Sequence, residues 1–199
     1  MKFRHTSSRI AAVSLTVLAL GAVAPVHAES SFQTGAGALT ANARLDFRIV
    51  IPRFLELQVG STDATIDLVE FTVPAANLGD GSDIARTNGG VVPVSIRANS
   101  GNVTLTGTTL GAMGTTPTGD TISFAEILET SSNPDLDSPN LVDGAASAAI
   151  TVTPNVGTRV VNRQANWTFA YDNTNVVGAG TYGGIATNNG RVTYTATLP

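Results

Sequence analysis

Apolar residues in this chain recur every second position, in short runs closed by turn residues, and no segment sustains the 3.6-residue period of an amphipathic helix. Val92, Val94, Ile96 and Ala98 alternate with Pro93, Ser95 and Arg97; Trp167, Phe169 and Tyr171 alternate with Thr168, Ala170 and Asp172. Val103 with Leu105, Ile122 with Phe124, and Ala148 with Ile150 and Val152 repeat the pattern, and Val192, Tyr194, Ala196 and Leu198 close it with threonine in every intervening slot. Period-two alternation is the signature of a strand with one face buried, and threonine fills the solvent face of such strands well. Asn88-Gly89, Asn99-Ser100-Gly101 and Asn189-Gly190 supply turns between the runs. Many short strands without helices predict one all-β, immunoglobulin-like antiparallel sandwich. "SFAEILET" (123–130) is left open as a short helical turn, and the polar stretch 130–147 is expected to cross the surface without a strand.

The first 28 residues stand apart. Lys2, Arg4, His5 and Arg9 precede an apolar run from Ile10 to Pro25, and Val26-His27-Ala28 offers a small-x-small cleavage site. This is the layout of a secretory signal peptide, and the run is shorter than the roughly 20 apolar residues that cross a bilayer. The expectation is an exported chain beginning at Glu29, with no membrane span in its mature form. Residues 29–51 then form a polar, glycine-rich lead-in ending in a strand-like segment, and 52–199 a single sandwich domain.

Removing the leader leaves 171 of the 199 residues, with no cysteine, histidine or lysine. Eight arginines face fifteen acids, a net charge of −7, which repels phosphate backbones and argues against nucleic-acid partners. Serine or cysteine nucleophiles lack an imidazole base, transition metals lack their usual nitrogen and sulfur ligands, and no phosphate-binding loop is present. No catalytic residue, cofactor or metal is assigned. Carboxylate-only chemistry, as in glycosidases, remains conceivable among Asp80, Asp83, Glu126, Glu129, Asp135 and Asp137, but fifteen acids place such neighbours together by chance. Asp135, Asp137, Asn140 and Asp143, and separately "DGSD" (80–83), contain calcium-type ligands without the spacing of a dedicated calcium loop. They read first as solvated turns.

The densest apolar segment outside the leader is "LDFRIVIPRFLELQVG" (45–60). Leu45, Phe47, Ile49 and Ile51 share one face, and Pro52, which cannot donate a ladder hydrogen bond, ends the run. The expected result is a strand over 44–51, a break at Pro52-Arg53, and a second strand through Phe54, Leu55, Leu57 and Val59 to a turn at Gly60. An apolar face left uncovered on a monomer invites aggregation, so the first strand needs a sheet to lie against. Patterning leaves open whether that sheet belongs to its own domain or to another molecule.

The leader, this N-terminal strand with its proline, the ending "GAGTYGGIATNNGRVTYTATLP", and "VPVSIRANSGNVTLTG" (92–107) with the look of a mid-domain hairpin together resemble subunits of chaperone–usher fimbriae. The nearest group is the disulfide-free alpha group, the CS1-like fimbriae. The resemblance implies a sandwich missing its last strand, completed by the N-terminal strand of a neighbouring subunit. It also implies as partners copies of the chain or sister subunits, a periplasmic chaperone and an outer-membrane usher, with transit through the periplasm to a cell-surface fibre. On this reading Leu45, Phe47, Ile49 and Ile51 are donated side chains, and Val192, Tyr194, Ala196 and Leu198 form one wall of the acceptor groove. The alternative is a monomeric secreted module that binds carbohydrate or another surface ligand, with Trp167 and Tyr182 as candidate stacking platforms.

Overall fold

The computed structural model describes residues 30–62, 65–115 and 119–199, so the expected leader lies outside the described residues. The chain divides after Val50. Residues 30–50 hold no helix or strand, and each is exposed. The expected strand over 44–51 is therefore not formed within its own chain.

From Ile51 onward the described residues form an antiparallel β-structure with three single 3-10 turns, Ala75–Asn77, Phe124–Glu126 and Pro134–Leu136, as their helical content. Its strands are β1 (Leu55–Val59), β2 (Ile84–Ala85), β3 (Val92–Ala98), β4 (Val103–Thr109), β5 (Met113–Gly114), β6 (Thr121–Ile122), β7 (Ile127–Ser131), β8 (Ile150–Val152), β9 (Val161–Tyr171) and β10 (Val192–Thr197). The long β9 organises the first sheet. Trp167 pairs with both Val92 and Ser131, and Tyr171 with both Ile84 and Ile127, so β3 and β2 lie along one edge of β9 and β7 along the other. β1 adds outside β3, with Leu57 opposite Ile96. The second sheet has the order β10–β4–β8, and β5 with β6 form a separate two-stranded ribbon.

The inner rows of these sheets make the core that the alternation foretold. Val92, Val94, Ile96 and Ala98 of β3, Val103 and Leu105 of β4, and Val161, Ala165, Trp167 and Phe169 of β9 are buried in one cluster. Each fully buried large aliphatic or aromatic side chain contributes about 1.5–3 kcal/mol. Trp167 is completely buried, and its Nε1 donates to the carbonyl of Leu136 at 3.1 Å. A buried indole N–H without such a partner would cost much of what its ring gains.

Two expectations need correction. Residues 92–107 are not a hairpin: β3 has both edges occupied, by β1 and β9, so β4 crosses to the second sheet. The crossing turn uses Gly101 at φ 107°, and the Gly101 N–H donates to Arg159 O at 3.0 Å. The stretch 130–147 is mostly exposed as expected, but it is not only a surface excursion. Ser131 ends β7, the Asn133 side chain caps the turn Pro134–Leu136, and Leu136 and Leu141 are buried against the core. Two isolated leucines among polar residues carry no periodic signal, so their burial was illegible. "SFAEILET" resolves into a capped turn, with Ser123 and Glu126 forming the reciprocal capping pair, followed by β7.

Candidate functional site

Among the strands that pair on one side only, β1 and β10 carry apolar rows and come together at one end. β1 is the outer strand of the first sheet, bonded to β3, and β10 the outer strand of the second, bonded to β4. Arg53, two residues before β1, donates from Nη2 to the carbonyls of Leu198 (3.4 Å) and Pro199 (2.6 Å), so the start of β1 stands beside the end of β10. Between them runs a groove of about 830 Å³. Leu57 and Val59 line it from β1, Val192 and Tyr194 from β10, and Val69 and Phe71 from the intervening loop. Leu57, Val59 and Tyr194 are only half-buried, although each packs on the core.

The β10 row follows the expected alternation. Val192, Tyr194 and Ala196 are half-buried while Thr193, Thr195 and Thr197 are exposed, and Leu198 continues the row just beyond the strand. Val192 and Tyr194 line the groove; Ala196 and Leu198 pack on the core without lining it. The Tyr194 ring lies against Trp167, with centroids 5.2 Å apart and planes tilted by 53°. Burial, with Glu129 nearby as a lesser cause, raises the Tyr194 phenol pKa above its ordinary value, so it stays neutral.

The other half of the expected pair is fully displayed. Leu45, Phe47, Ile49 and Ile51 are 65, 84, 86 and 76 % exposed. At roughly 25 cal/mol per Å² of apolar surface, four such side chains represent several kcal/mol of unrealised burial.

The stacking platform is overturned for Trp167, whose ring has no exposed surface to offer a ligand. Tyr182 is half-buried, and its hydroxyl donates to Gly178 O at 2.6 Å. The acidic clusters serve the fold. Asp143 accepts from Ser123 Oγ (2.7 Å) and Phe124 N (2.8 Å), Asp135 pairs with Arg163 at 3.1 Å, and Asp137 accepts from Ser138 N at 2.9 Å. Asp80 is held below the usual carboxylate range by hydrogen bonds, first from the Ser82 hydroxyl and N–H, then from Asn77 and Asn173. Asp83 is exposed. Among the described residues no three acidic or histidine side chains converge to hold a metal.

The side-chain roles of two asparagines escaped the sequence reading, which marked Asn99 only as a turn residue. Asn173 is completely buried at φ 51°; its Nδ2 donates to Asn77 O (2.6 Å) and Asp80 Oδ1 (3.2 Å), and its Oδ1 accepts from Gly79 N (3.2 Å). It ties the end of β9 to the loop carrying Asp80. Asn99, after β3, accepts from Phe54 N at 3.0 Å and donates to Pro52 O at 2.7 Å. Both sit in Asn-rich turns, where sequence marks a bend but not what the amide reaches.

Compared with protein-family models, with curated proteins and with solved structures, the chain shows no significant match to any of them.

Proposed function

We propose that this chain is a structural subunit of a bacterial surface fibre, exported through the periplasm and polymerised by donating residues 44–51 to a second copy or a sister subunit. One observation carries the reading: a groove between two one-sided strand edges in a chain that holds an alternating apolar segment outside every sheet. A seven-residue strand from Leu45 to Ile51 spans about 20 Å, close to the length of β10. Laid along the groove, it would pair with backbone groups on an open edge that β3 or β4 leaves unused and bury its own row on Leu57, Val59 and Tyr194. A periplasmic chaperone would cover the same groove before an outer-membrane usher exchanges it for the donor. The role is structural, and the immunoglobulin-like, strand-deficient character of the sandwich belongs to this proposal.

The test is thermal unfolding of the Phe47→Arg subunit with and without a peptide of residues 39–52. An arginine at that donor position puts an unpaired charge in the neighbour's groove, so the variant should not polymerise. The peptide, binding only the folded subunit, should raise stability by about 2.7 kcal/mol at a hundredfold excess over its Kd. A stable wild-type monomer together with an unmoved transition on adding peptide would refute the fibre reading.

A further inference from the structure

A segment joined directly to the first strand of its own domain could fold back into its own groove, ending polymerisation before it begins. We propose that Pro52, Arg53 and Asn99 form a latch that keeps residues 44–51 out of their own groove and so reserves it for another copy. The inference rests on the donor reading above.

To reach its own groove, the segment must lie beside β1, and the chain must reverse at positions 52–53. The tight two-residue connections between antiparallel strands need positive φ at their first central residue. Proline is fixed near −65°, so Pro52 cannot occupy that place. The Asn99 side chain then acts on both flanks of Arg53. It accepts from Phe54 N at 3.0 Å and donates to Pro52 O at 2.7 Å, carrying the β1–β3 ladder one residue beyond the Leu55–Ala98 pair. Both bonds require 52–54 to run onward in the extended form, and a reversal breaks them. Arg53 blocks the entry itself. Its guanidinium spans from the start of β1 to the carbonyls of Leu198 and Pro199. A segment attached at residue 52 can enter only at that end, whereas a donor from another molecule has no such tether.

Pro52 and Arg53 are exposed, and Asn99 is half-buried outside the core cluster, so each can be changed with little expected effect on the core. The test compares the mature wild-type chain with P52N/R53G, which installs the Asn-Gly pair favoured in two-residue hairpins, and with Asn99→Ala, which removes only the side-chain pin. Light scattering on a sizing column reads oligomeric state, titration with the 39–52 peptide reads groove access, and hydrogen exchange reads protection of the 44–51 amides. Wild type should assemble or take up peptide. P52N/R53G should become monomeric, bind peptide at least tenfold more weakly, and protect 44–51 within the monomer. Asn99→Ala should move the same way by severalfold, and it decides the matter if the double variant does not fold. Variants that assemble and bind peptide like wild type would overturn the latch and leave the donor reading intact. A wild type that neither assembles nor binds peptide would overturn both.

Discussion

Glu129 makes the stability of this fold depend on pH in a direction opposite to that of most surface acids. It lies on β7 opposite Phe169, in the half-buried row of that strand, with Tyr194 and Asp137 as its titratable neighbours. Burial pushes its carboxyl up to about 7, and Asp137 adds to the rise. The Ser138 hydroxyl and Leu141 N–H favour the charged form, but neither makes a well-formed hydrogen bond, and both carboxylate oxygens lack a partner. In the unfolded chain the group ionises near 4.5. Between those values the folded protein holds a proton that the unfolded chain has released, so stability falls as pH rises through the window and stays low above it. At 1.36 kcal/mol per pKa unit the shift sets a ceiling of about 3 kcal/mol, and solvent screening of a half-buried group reduces this to about 1–2 kcal/mol. Glu129→Gln keeps the shape and removes the ionisation. In the Phe47→Arg background, which on the proposed donor reading does not polymerise, urea unfolding should give near-equal stabilities for Glu and Gln at pH 4.5. At pH 8 the Gln form should be about 1–2 kcal/mol more stable. Taking the difference between the two cancels the other acids, including Asp80, whose lowered pKa stabilises the fold above its titration and is lost on acidification. A difference that does not change with pH, or one that grows in favour of Glu as pH rises, would show that the carboxyl is not buried as described.

Other substitutions read the core and the loops. Trp167→Ala should cost about 3–5 kcal/mol, since it empties a fully buried site, abandons the Leu136 carbonyl and removes the ring on which Tyr194 rests; an unchanged urea midpoint would contradict this. Asn173→Ala should cost about 2–4 kcal/mol, through a buried carbonyl and N–H left unpaired and a left-handed backbone that alanine resists. Asn173→Gly relieves only the backbone share and should recover about 1 kcal/mol of it by the same measurement.

Much of the sandwich was legible because alternation reports burial directly. In β3, β9 and β10 the residues expected to face inward are the buried or half-buried ones, and the threonines of β10 face out. What the pattern does not carry is pairing. The sequence "VPVSIRANSGNVTLTG" holds two alternating runs around a turn, which suits a hairpin and a crossing between sheets equally well. The choice was made by β9, some sixty residues later, which occupies the edge of β3 that β4 would have used. Leu136 and Leu141 were missed for a related reason: a single apolar residue in a polar loop has no period, and its burial follows from where Trp167 needs a carbonyl and a cover.

The groove is harder to read than either strand that bounds it, because an open edge is a property of the whole sheet order. Positions 55–59 and 192–197 each announce a strand, yet nothing within them says that neither gains a second partner among the described residues. The sequence did hold the complementary half of the problem. Leu45 to Ile51 alternates apart from Val50, and still takes no place in a sheet. Pro52 separates that run from β1 by a residue whose fixed negative φ a two-residue reversal there cannot use. On the proposed donor reading, the proline and the Asn99 amide, which holds Pro52 and Phe54 on either side of Arg53, keep the segment available to another molecule.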